Sequence, residues 1–287
     1  MWDLFLDVLL DAFLDSLKML PFLFAAYLIL EYIEHRSSTK LERALGSGRF
    51  GAVGGALLGC VPQCGFSVTA SNLYAGRVIT VGTLVAVFLS TSDEALPLML
   101  AHPESYPMMF ALLAIKVGIA ILAGLLVDAV AKKFRPKTEA ARESIHELCE
   151  HEHCHCGGHG HGILLSALRH TLNIFLFIFV VLILLNLAVE LIGEQRLSSL
   201  LLSGSVFQPL VAGLIGFIPN CAASVLLTEL YLAGSISFGS AVAGLCTSAG
   251  VGLAVLFKVN HNMRENLLIM AVLYIVGVVS GMVIQFL

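Results

Sequence analysis

Four stretches of the chain, 17–34, 106–131, 163–190 and 266–287, are each apolar enough and long enough to cross a bilayer as one helix. They fix the solvent in which the rest must fold. Charged residues make up 13% of the sequence and hydrophobic ones 58%, whereas a soluble domain carries about 25% charge. A backbone in lipid must satisfy its own hydrogen bonds, and a helix does so within one segment. The expected class is therefore an all-α integral membrane protein. At the start of the chain Asp3, Asp7, Asp11 and Asp15 recur every four residues. On a helix they form one polar stripe, as an interfacial segment would. There is no basic n-region, so a cleaved signal peptide is not expected.

Between the long stretches lie apolar segments that are interrupted. Residues 50–76 form two arms around GCVPQCGFS, and 78–101 is broken at STSDEALP. Residues 206–234 repeat the first pattern around GFIPNCAAS, and 236–257 is broken at CTSAGVG. Proline removes a backbone donor and clashes with the preceding turn, so Pro62 and Pro219 end or sharply bend a helix. A shift of 157 residues superimposes Gly59 on Gly216, Pro62 on Pro219, Cys64 on Cys221, Ser67 on Ser224 and Tyr74 on Tyr231. It does so without a gap, giving 11 identities over the 33 positions 59–91. Biased composition produces scattered Gly and Ala matches but does not align Pro, Cys, Ser and Tyr together. The chain reads as an internal repeat, with halves at 1–131 and 163–287 joined by a linker at 132–162.

Charge orients the halves. If each Pro-Cys segment is a hairpin entering and leaving by one side, Arg36, Lys40, Arg43, Arg49 and Arg77 share a face. HPESYP at 102–107, with no Lys or Arg, falls opposite, and KKFRPK at 132–137 returns to the basic face. In the second half, 191–205 with Arg196 alone falls outside, and KVNHNMR at 258–264 falls inside. All basic clusters then obey the positive-inside rule. Each half has three full crossings and one broken re-entrant hairpin, so the second is inverted. The linker is cytosolic, both termini are extracytoplasmic, and the expected location is a bacterial inner membrane.

Inverted repeats with broken helices place transport sites near the midplane. The candidate site there comprises Cys60, Gln63, Cys64 and Ser67 with Asn220, Cys221 and Ser224. To these the neighbouring breaks add Ser90, Thr91, Ser92, Asp93 and Glu94 from one half and Cys246, Thr247 and Ser248 from the other. Thiols suit soft ions such as Cu(I), Zn, Cd or trivalent arsenic. Carboxylates within a span mark a site by default, which singles out Asp93, Glu94 and Glu229, whose counterpart is Asn72. Lys116, deep in an apolar span, is either the counter-charge of an acid or a side chain that snorkels to the surface. The bland readings are that membrane cysteines are small apolar residues and that hydroxyls only satisfy backbone freed by a break.

A second constellation is HELCEHEHCHCGGHGHG at 146–162, with six His and three Cys. His146, Cys149, His151, His153, Cys154, His155, Cys156, His159 and His161 would bind Zn-like ions with little geometric demand. A zinc-protease motif fails, because the position four after His146 is Glu150. No phosphate-binding loop is present in the sequence, so ATP is not the expected energy source.

These motifs, with the ten helical segments obtained when each hairpin counts as two, resemble the bacterial ten-helix heavy-metal exporter family. Some of its members carry arsenic-efflux or manganese-transporter labels. The resemblance implies export of a toxic or surplus metal, with the Pro-Cys tips as the site. The expectation is a proton-coupled secondary exporter of a heavy-metal or metalloid species, with no required cofactor and no enzymatic activity. Its partners are the ion, protons and the bilayer, not nucleic acid, and a homodimer is compatible with it. The alternatives are an exporter of Mn2+ or another hard cation using Asp93, Glu94, Asn72, Glu229 and the tip amides, or a membrane thiol/disulfide enzyme using Cys60 and Cys64. Deletion of 146–162 should lower metal binding by the purified protein and change the apparent affinity of transport, yet leave a folded transporter. Loss of all transport in a normally folded deletion would place the loop on the main pathway instead.

Overall fold

The fold follows from where these apolar segments can and cannot continue as helix. The computed structural model describes residues 48–134 and 205–286 apart from Gln63, Asp93, Glu94 and Ala101, with isolated helical positions between 10 and 28 and between 168 and 184. The linker 132–162 beyond residue 134, and with it the whole His/Cys-rich stretch, lies outside the described residues, as do Asp3, Asp7, Asp11 and Asp15.

The described residues are helical and contain no strand. Helix α1 spans Gly48–Gly59 and α2 Cys64–Ala75, with Pro62 in the turn between them. Helix α3, Val81–Ser90, breaks before the short α4, Ala95–Leu100. A 3-10 turn, Pro103–Ser105, leads into the long α5, Tyr106–Phe134. The second half repeats this order, with α6 Gln208–Gly216, α7 Cys221–Leu232, α8 Phe238–Thr247, α9 Val251–Val259 and α10 Met263–Phe286. The expected breaks are all present. Helix α10 begins three residues before the apolar stretch at 266, where the Asn262 side chain accepts from Glu265 N at 3.4 Å.

Local chemistry recurs at the same 157-residue shift. Thr80 caps α3 by accepting from Thr83 N, and Ser237 caps α8 by accepting from Ser240 N, both at 3.1 Å. Each hairpin leaves through a left-handed residue, Gly234 with φ 71° in one half and Arg77 with φ 56° in the other. A non-glycine residue is strained there. Arg77 is held by an ion pair of 3.1 Å to Glu265, whose same oxygen accepts from Tyr74 Oη at 3.0 Å.

Helix α1 packs on α3 and α5, and α6 packs likewise on α8 and α10. Across the halves, α2 packs on α9, and α7 packs on α4. Close approach requires glycine at matching points. A Cβ on Gly59 would meet Ser90 Oγ at 2.1 Å and Val87 O at 2.6 Å. One on Gly216 would meet Gly244 O at 2.1 Å and Thr247 Oγ1 at 2.3 Å.

Among the described residues four helical windows have the length and composition of membrane spans: Val81–Leu100, Tyr106–Ala131, Phe238–Val259 and Met263–Phe286. The two broken ones are 81% and 89% buried within the protein, against 28% for each unbroken one. Irregular backbone at membrane depth requires such burial. The unbroken helices present Phe110, Leu122, Leu126, Leu268 and Ile275 outward, as a lipid-facing wall would. Arg77 and Tyr74 place the open end of the first hairpin at the N-terminal end of α10. Gln208 accepts from Ser237 N at 2.9 Å, and Gly239 lies against Gly281, placing the open end of the second at the C-terminal end of α10.

Gly59→Ala and Gly216→Ala should each destabilise the detergent-solubilised protein by about 1–3 kcal/mol, the usual cost of overpacking. Gly54→Ala, where a Cβ meets nothing within 4 Å, is the control. Thermal unfolding should give lower midpoints for the first two alone.

Candidate functional site

The site is built from the two Pro-Cys turns. Because Pro62 and Pro219 stop α1 and α6, the chain reverses, and Cys64 and Cys221 become the first residues of α2 and α7. Their Sγ atoms lie 3.2 Å apart, in hydrogen-bond contact, and each residue is 7% exposed. Two residues 157 apart in sequence, equivalent in the repeat, thus touch each other. Each thiol sits in the first turn of its helix, at the end that carries the unsatisfied N–H groups. The Asn220 side chain caps α7 by accepting from Ala222 N at 3.4 Å.

Two such thiols supply two soft donors. They can hold a soft metal or metalloid centre, though a tetrahedral structural zinc site needs four ligands. Among the described residues no group of three His, Cys, Asp or Glu is placed to hold a metal.

The hydroxyls expected at the site bind backbone. Ser67 and Ser224 donate to Cys64 O and Cys221 O at 2.8 Å, each in its own helix. Thr91 donates to Val87 O at 2.7 Å, and Thr247 to Gly213 O at 2.8 Å. The role these contacts support is satisfaction of carbonyls at breaks and close helix contacts. Ser248 differs: its buried Oγ has no hydrogen-bond partner among the described residues. Gln63, Asp93 and Glu94 lie outside the described residues.

Three readings that the sequence left open become narrower. Lys116 does not snorkel. It is fully buried in α5, and its ammonium donates to Thr91 O, to Leu245 O at 2.9 Å and to Ser92 Oγ at 3.3 Å. Glu229 does not join the tips, for it is exposed on α7 eight residues beyond Cys221, while its counterpart Asn72 is fully buried and donates to Val68 O. The thiol that meets Cys64 is Cys221 and not Cys60, which donates to Ala56 O at 3.1 Å. The position equivalent to Cys60 is Phe217, whose ring lies tilted by 30° against Tyr274 with centroids 5.9 Å apart.

Lys116 and Cys246, both named by the sequence beside the breaks, stand apart from the two tips. The signal for Lys116 was a lone charge within an apolar span. Cys246, fully buried in α8, and Cys60 both lie within reach of its charge. For Cys246 the sequence offered only its neighbourhood to a break.

Broken apolar helices that meet inside a wall of unbroken ones define a multi-span membrane transport protein. The chain belongs to the family described as "Putative, 10TM heavy-metal exporter", which matches residues 1–191 and 162–287 and so spans the whole sequence. Metal export is the activity that this family assigns. No curated protein and no solved structure is significantly similar to the chain.

Mild oxidation should join Cys64 to Cys221. After proteolysis in the 132–162 linker, the two halves should then migrate together on a non-reducing gel, and Cys64→Ser or Cys221→Ser should separate them. Halves that separate after wild-type oxidation would mean that the thiols do not meet.

Proposed function

We propose that the protein is a secondary, proton-coupled exporter in which the paired thiols of Cys64 and Cys221 hold a soft metal or metalloid species between two inverted halves. The observation that carries this reading is the 3.2 Å contact between equivalent cysteines of the two hairpin tips. A site formed by both halves changes its exposure when one half rocks against the other, as alternating access requires. Asp93 or Glu94, beside the α3 break, is the candidate proton carrier or charge compensator, and the His/Cys-rich loop collects or senses metal in the cytosol.

The inverted topology draws support from the contact of Arg77 with Glu265 at 3.1 Å. The positive-inside rule assigns the segments bearing these two residues to the same face. Helix α10, 24 residues long, spans about 36 Å, so hairpins that open at its two ends enter from opposite sides. A hard-cation site is less well supported, because Glu229 is exposed and the hydroxyls are bonded to backbone.

Cys64→Ser and Cys221→Ser should each weaken export of a soft substrate by about tenfold or more, since oxygen conserves shape but removes the soft donor. Metal-loaded everted vesicles measure this directly. Normal export in both variants, with loss in Asp93→Asn or Glu94→Gln, would turn the assignment to a hard cation. An impermeant maleimide applied to intact cells should label Glu104→Cys and leave Cys149, Cys154 and Cys156 unlabelled. The opposite pattern overturns the inverted topology.

A further inference from the structure

The breaks in α3–α4 and α8–α9 belong to different halves, yet one side chain serves both. Lys116 has three N–H donors, and they reach Thr91 O and Ser92 Oγ at the end of α3 and Leu245 O in the last turn of α8. Helix C-termini carry partial negative charge, so two of them converge on this ammonium. Oxygen donors of this kind, carbonyls and a hydroxyl, also coordinate hard cations. The position equivalent to Lys116 at the 157-residue shift is Leu273, buried and apolar. The repeat is therefore asymmetric here, with one charge shared between two halves. Such a charge has no solvent, for Lys116 is fully buried, and its desolvation is offset only by these acceptors and any further partner it has.

We propose that Lys116 is a tethered monovalent cation: its ammonium fills an oxygen-lined cation site at the junction of the two helix breaks and thereby joins the halves without a bound inorganic ion. The proposal does not depend on which metal is exported. It assigns the junction a ligand class, a primary ammonium or a small alkali cation, distinct from the soft centre between Cys64 and Cys221. Arginine is a poor replacement, because its planar fork cannot converge three donors on one point as an ammonium does.

The test uses the full-length purified protein. Lys116→Ala removes stem and head, and should lower the unfolding midpoint by about 10 °C, as expected when one partner of a buried polar junction is removed. Propylammonium replaces the three carbons and the ammonium that were removed and should restore the midpoint saturably, whereas 1-propanol, of similar shape without charge, should not. Lys116→Met keeps the stem but not the head, and its midpoint should rise with NaCl or KCl but not with choline chloride at equal ionic strength. Wild-type protein should respond to none of these. If Lys116→Ala does not yield monodisperse protein, the Lys116→Met comparison decides alone. Equal rescue by 1-propanol, or no cation dependence in either variant, would overturn the tethered-cation assignment and leave a packing role. Transport in vesicles is a separate arm: failure of wild-type export would sink the transport reading while the midpoints still decide this one.

Discussion

Interrupting a helix inside a bilayer frees peptide groups where no water can reach them, and each must find a partner within the protein. Much of the described architecture answers that demand. Prolines 62 and 219 end helices at the two tips, and the α3–α4 and α8–α9 segments break again nearby. Ser90, Thr91 and Thr247 return their hydroxyls to carbonyls of the preceding turn. Lys116 supplies donors to one carbonyl from each half. The unbroken α5 and α10 then stand outside and keep lipid away from what they enclose.

Burial of the breaks explains the glycines. A broken helix is hidden only if its neighbours come close, and Gly59 and Gly216 allow α1 and α6 to lie directly on the ends of α3 and α8. The same repeat unit reappears at Gly82 against Gly124 and at Gly239 against Gly281. The equivalence detected over residues 59–91 therefore extends into the long helices, where identities are too sparse to be noticed. Backbone proximity is a stronger requirement than side-chain identity, and it persists where the sequences have diverged.

Equivalence also has limits that matter for function. Asn72 is buried where Glu229 is exposed, Cys60 stands opposite Phe217, and Lys116 opposite Leu273. A strictly symmetric molecule would present two copies of every feature. Here the thiols keep the symmetry, meeting at 3.2 Å, while the buried charge breaks it. A pair of thiols in contact and a buried lysine thus lie in different elements of the same core.

The sequence by itself determined the helical membrane class, the positions of the four breaks and the pairing of Cys64 with Cys221 as equivalents. Apolar length, proline and an ungapped repeat each act locally and need no knowledge of distant neighbours. It also identified Lys116 as unusual, because a charge in an apolar span is costly wherever it sits. Only the tertiary structure decided that the two cysteines touch, that most of the break hydroxyls are occupied by backbone, and that Lys116 joins both halves instead of reaching the surface. Those outcomes depend on which helix lies against which. A 157-residue separation is invisible to local pattern, and a hydroxyl or an ammonium declares its role only when its acceptors are in place.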